Sequence, residues 1–247
     1  MDTSSILNHD DKSLAGESPP AFTLIELLVL IAVIAMLAAI LLPVLSRVKD
    51  TAARVQCLNN VKQIGHAVFL YTEDHEDFFP LVEDWPAFGG RRGTTGVYNS
   101  NAYDPTNRPL NEYVGYQLEV FHCPRDKGDA LNGVNLPLWE AYGNSYIMQL
   151  GASSFRTQYI LAMRNGTYGP PVRVSTIHRT ENKIVVSEWP FHANRPLTDS
   201  RTQWHNRGQV RAFNIYFADS HADYFKFPST YGPADEWIAP DPAYLWW

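Results

Sequence analysis

Residues 22–42 read FTLIELLVLIAVIAMLAAILL, an apolar run broken only by Glu26. A helix over this run, at about 1.5 Å per residue, is roughly 31 Å long, enough to cross the hydrocarbon core of a bilayer. The alternative is a wholly buried helix of a soluble protein, but nothing else in the chain is apolar enough to wrap such a helix on every side. A secretory signal peptide is disfavoured, because its apolar core spans only about 7–15 residues. Two residues set the run apart from a plain anchor. An ionised side chain near a bilayer centre costs roughly 2.5–3.5 kcal/mol on insertion scales, and less toward the ends, so Glu26 calls for a partner. Pro43 closes the run, and within a continuing helix it removes one backbone hydrogen bond and tends to kink the axis.

Beyond this run the chain has globular composition, 45% hydrophobic and 19% charged, which argues against disorder throughout. A net charge of -6 opposes a protein built to coat nucleic acid or anionic headgroups, so no nucleic-acid partner is expected. The two cysteines, Cys57 and Cys123, can make one disulfide outside the cytosol, or remain as two buried thiols; they cannot build a four-cysteine metal site.

Over residues 44–72, Leu45, Val48, Ala52, Val55, Leu58, Val61, Ile64, Val68 and Tyr71 recur at steps of three or four. That spacing predicts one long helix, lipid-embedded at first and then amphipathic, packing on a sheet. The acidic run YTEDHEDFFP (71–80) reads as a solvated helix end; an oxygen-ligand Ca²⁺ site is the sharper alternative, although the spacing is not that of an EF-hand. Residues 84–112 read as a long loop, whose glycines lack the Lys-Ser/Thr pair of a phosphate-binding loop. Strands are expected over 142–148 and 182–188. A hairpin follows, with Phe213, Ile215 and Phe217 on one face of 211–218, a turn at Asp219-Ser220, and a return over 221–227. The expected class is α+β, a long N-terminal helix on an antiparallel sheet.

Ala21-Phe22-Thr23-Leu24-Ile25-Glu26 resembles the processing and methylation site of type IV prepilins and type II secretion pseudopilins. The resemblance implies cleavage between Ala21 and Phe22 by a prepilin peptidase, with methylation of the new amino terminus. It places Glu26 at the family's fifth mature position and Pro43 where many pilins have a proline. A physical reason fits: the ammonium created at Phe22 can pair with Glu26 of an adjacent subunit, and a charge pair costs less in lipid than either charge alone. The family usually has Gly where Ala21 stands, and its leaders are short and basic, whereas this one carries Asp2, Asp10, Asp11 and Glu17 against Lys12. Arg47, Lys49 and Arg54 follow the span, which by charge alone would keep the C-terminal side cytoplasmic; the cleavage motif requires the opposite. The resemblance thus implies a leader (1–21), a membrane and assembly helix (22–43), a globular domain (44–228) and an irregular tail (229–247). The domain is expected outside the inner membrane, with pilin subunits and an assembly platform as partners.

Residues 57–65 and 71–80 are similar to the stretch after the span in many pseudopilin-like sequences. His205, followed by Asp219, Ser220 and His221, resembles the C-terminal hairpin of a prepilin-like group carrying a His, nine residues, then Asp-Gly; here the spacing is longer and Ser220 replaces the Gly. Asp219 is expected to accept backbone N–H bonds in the turn, with His205 bonding to backbone or Asp219. A metal reading would make His205, His221 and Asp223 ligands; no metal is expected. With no HExxH and no Gly-x-Ser-x-Gly, enzyme activity is not expected either. The alternative function is a membrane-tethered module that binds glycans or proteins through its aromatic loops and tail.

Overall fold

In the computed structural model the described residues are 22–148, 162–163, 170–177, 179–192, 194–205, 208 and 210–229. The expected leader with Ala21 and the tail beyond residue 229 lie outside them. The chain divides into two compact units, one ending at Arg47 and the other starting at Val48. Helix α1 (Leu24–Asp74) contributes to both and includes Pro43.

In the first unit, the large apolar side chains exposed between Phe22 and Leu45 are 48% to 79% accessible among the described residues. This part of α1 is long and apolar enough to cross a membrane.

In the second unit the fold is α+β. Helix α1 turns Cys57, Asn60, Val61, Ile64, Gly65, Ala67, Val68, Tyr71 and Thr72 inward, one face at helical spacing. The apolar stripe therefore becomes a packing face only from Cys57 onward; Val48 and Val55 are exposed. The sheet runs β2 (Tyr146–Ile147), β4 (Ile184–Glu188), β5 (Ala212–Phe217) and β6 (Ala222–Lys226) in that spatial order, antiparallel throughout. A separate two-residue parallel pairing joins β1 (Leu81–Val82) to β3 (Ala162–Met163).

Every residue of β5 is buried, because both of its faces are covered. The helix covers the face carrying Asn214 and Tyr216. The Tyr216 ring lies against Gly65, where an added Cβ would overlap it, and the Asn214 Nδ2 donates to the Arg54 carbonyl at 3.3 Å. The alternation expected in this strand is present, but the expectation that Phe213, Ile215 and Phe217 face the long helix is corrected: Asn214 and Tyr216 do. Phe213, Ile215 and Phe217 point away from α1, where Phe217 meets Phe225, and Phe225 in turn meets Phe227. A glycine in the helix makes room for a tyrosine, and a pattern of apolar residues cannot show that. Burial of each of the three displaced residues is worth roughly 1.5–3 kcal/mol all the same.

The expected loop over 84–112 is folded into the core. Phe88 and Leu110, at the start of α2 (Leu110–Tyr113), are fully buried. Arg108 is the organiser: its guanidinium donates to the carbonyls of Pro86 (2.6 Å), Gly89 (2.8 Å) and Tyr142 (3.1 Å). Burial lowers that guanidinium to about 10, so it stays charged at neutral pH. Gly90 and Gly143 adopt positive φ, 98° and 79°, at a backbone crossing where a side chain on either would strike a carbonyl.

Candidate functional site

At the start of α1, Thr23 and Glu26 cap the helix reciprocally. Glu26 Oε2 accepts from the Thr23 N–H at 2.9 Å and its hydroxyl at 2.8 Å, while the Glu26 N–H donates to Thr23 Oγ1 at 3.2 Å. A Thr followed three residues later by a Glu is the sequence signal for such a box. Within a single chain, then, the Glu26 carboxylate already has a local partner in Thr23.

A second constellation lies in the globular unit, between α1 and the sheet. Cys57 projects from α1, and Cys123 follows a short 3-10 turn that ends at Phe121. The two are joined as a disulfide, with Cα atoms 5.4 Å apart. Glu188, the last residue of β4, and His205, just after the buried Trp204, complete the group. The His205 Nε2 lies 2.9 Å from Glu188 Oε1 and 3.2 Å from Cys123 Sγ, and both the Glu and His side chains are wholly inaccessible. The donor atoms of Cys57, Cys123, Glu188 and His205 all fall within 4.8 Å of one another.

Neighbouring groups hold these side chains in place. Glu188 Oε1 accepts from Asn214 Nδ2 at 2.7 Å, and Oε2 from the Asn214 N–H at 3.3 Å. Tyr146 is the cross-strand partner of Glu188. Burial, and after it the Glu188 charge, push the Tyr146 phenol well above its usual range, so it stays protonated. The Asn60 side chain donates to the His122 carbonyl at 2.8 Å, fixing the segment that carries Cys123. Arg125 ties the same segment to the Trp204 carbonyl (3.3 Å) and to Asp50 (3.2 Å).

The expectation that His205 bonds to backbone or Asp219 is corrected: its Nε2 lies against Cys123 and Glu188 in the cysteine cluster. Asp219 instead pairs with the His221 ring and accepts the His221 N–H at 3.1 Å, closing the hairpin turn as an Asx-type bond. Ser220 holds a left-handed φ of 73°, the conformation for which Gly is the usual residue. His205, His221 and Asp223 do not assemble as one ligand set among the described residues; the convergent group there is the cysteine cluster. In the acidic run, Asp77 accepts the Ser175 N–H at 3.0 Å and Asp74 the Tyr113 hydroxyl at 3.1 Å, loop-fastening roles.

Cys57, Cys123 and His205 stand out separately in the sequence, and Glu188 is one carboxylate among many. Nothing in their long spacings joins the four, and only the three-dimensional fold brings them together. The aromatic loops do form a pocket, with Trp85, Tyr98, Trp189, His192 and Arg195 among its walls, but its volume is about 100 Å³. Small-molecule sites usually offer roughly 300–1,000 Å³. None of the family models, curated proteins or solved structures compared with this chain matches it.

Proposed function

We propose that the chain is a pilin-like subunit of a type II secretion-type pseudopilus or a related type IV filament, processed between Ala21 and Phe22 by a prepilin peptidase. The observation that carries this reading is one helix with two environments. Its first part presents apolar side chains that are exposed among the described residues, and its later part packs through Gly65 onto an antiparallel sheet. In this role the exposed part sits in the inner membrane before assembly and among neighbouring subunits afterwards, with an assembly platform driving the transfer. The globular unit is extracytoplasmic, the compartment in which a Cys57–Cys123 disulfide persists. The function is structural and involves no catalysis.

A membrane-tethered binding module would share the apolar helix but would need no charge within it. Glu26→Ala therefore separates the two. The filament reading expects the variant to insert in the membrane and to be lost from sheared filaments, because the neighbouring amino terminus has no counter-ion. Undiminished incorporation of Glu26→Ala would leave the tether as the better account.

A further inference from the structure

We propose that Cys57, Cys123, Glu188 and His205 form a site for one divalent transition metal of the zinc type, open when the cysteines are thiols and closed when they are joined. The inference stands independently of the filament reading.

The four donor atoms lie within 4.8 Å of one another. A tetrahedral zinc site, with bonds of about 2.3 Å to sulfur and about 2.0–2.1 Å to nitrogen or oxygen, needs donor separations of roughly 3.3–3.8 Å. His205 Nε2 is already 3.2 Å from Cys123 Sγ and 2.9 Å from Glu188 Oε1, so one ring nitrogen faces both neighbouring donors. Two thiolates, an imidazole and a carboxylate suit a borderline-soft cation, and sulfur disfavours Ca²⁺ or Mg²⁺.

A disulfide clamp alone accounts for the cysteines but not for the other two groups. Glu188 and His205 have fully inaccessible side chains, and burying a carboxylate costs free energy that a clamp does not recover. With a divalent ion, two thiolates and the Glu188 carboxylate sum to a single negative charge, no more than ionised Glu188 carries beside the disulfide. The supports are also those of a ligand set. Asn214 holds both oxygens of Glu188, and Cys57 and Glu188 sit on regular elements rather than loops.

The two states interconvert by balanced chemistry. A dithiol reductant delivers two electrons and two protons to the Cys57–Cys123 bond, breaking it into two thiols while the reductant closes its own disulfide. Metal binding then forms two metal–sulfur bonds and releases both thiol protons to solvent. Oxidation by a disulfide donor reverses the sequence and expels the ion.

The test uses the full chain in detergent micelles, reduced with a dithiol that is then removed anaerobically, and titrated with Co²⁺. The expected result is one Co²⁺ per chain, with the intense visible d–d bands of tetrahedral cobalt and a near-ultraviolet thiolate charge-transfer band. Zn²⁺ should abolish both, and the unreduced protein should show neither. His205→Ala and Glu188→Gln should each weaken binding about tenfold or more and alter the d–d envelope, and Asn214→Ala about 10–100-fold. Near-ultraviolet circular dichroism follows folding in parallel. If reduction loosens the fold, restoration by Zn²⁺ supports the site. A reduced chain that binds no Co²⁺, whether folded or not restored by Zn²⁺, overturns it. So do folded His205→Ala and Glu188→Gln variants that bind like the parent, since the cysteines would then be acting alone.

Discussion

Lys183 is fully buried in the globular unit, and burial lowers its ammonium to about 7. The sign of the consequence follows from linkage. Below about pH 7 the group is protonated in both folded and unfolded chains, and its full burial cost opposes folding. Between about 7 and its ordinary value near 10.4 the unfolded chain binds the extra proton, so stability rises with pH. The buried tyrosines act in the opposite direction, but only as the unfolded chain begins to ionise near pH 10. The melting temperature should therefore climb from pH 7 to about 9. Lys183→Met should flatten that climb; an unchanged pH profile in the variant would refute the assignment. At the other end of the chain, Glu26 serves as both helix cap and charge. Glu26→Gln keeps a capping-box partner for Thr23 and removes only the charge. Filament incorporation should fall with Gln as it does with Ala. If Gln assembles normally, the cap rather than the charge pair is what assembly requires.

The contact between α1 and β5 rests on one missing side chain. Gly65→Ala would force its new Cβ against the Tyr216 ring, and overpacking of this kind typically costs about 1–3 kcal/mol. Thermal unfolding should show that loss, and a smaller residue at 216, as in Gly65→Ala/Tyr216→Leu, should recover part of it; equal stability of Gly65→Ala and the parent would mean the helix does not dock there. Ile215→Ala, on the far face, should cost about 2–5 kcal/mol by opening a cavity. The long helix, strands β4 to β6 and the hairpin turn were legible in the sequence because each is a local periodic pattern or a local turn residue. The face of β5 was not legible, since Phe213, Ile215 and Phe217 outweigh Asn214 and Tyr216 in apolarity, and both sets are buried. The 84–112 segment read as a loop because its order comes from Arg108 and Asn111 bonding to distant carbonyls, which has no local period. The cysteine–histidine–glutamate group was invisible as a group for the same reason: its members arrive from a helix, a turn, a strand end and a loop.

At the scale of the molecule, the chain carries two units with different demands. The Cys57–Cys123 link, spanning 66 residues of sequence, closes a loop that in the chain-entropy model is worth roughly 4 kcal/mol to the globular unit. The apolar side chains of the first part of α1 are exposed among the described residues, and apolar surface of that extent marks an interaction with lipid or protein. A filament subunit supplies both environments in turn, but only after its amino terminus has been freed next to Glu26. The central claim is therefore tested most directly by N-terminal sequencing and intact-mass measurement of the protein taken from the membrane fraction of its native host. The account predicts a chain beginning at N-methylated Phe22, with Lys12 and the four leader acids gone and the net side-chain charge changed from -6 to -3. A membrane-resident protein that still begins at Met1 would contradict it.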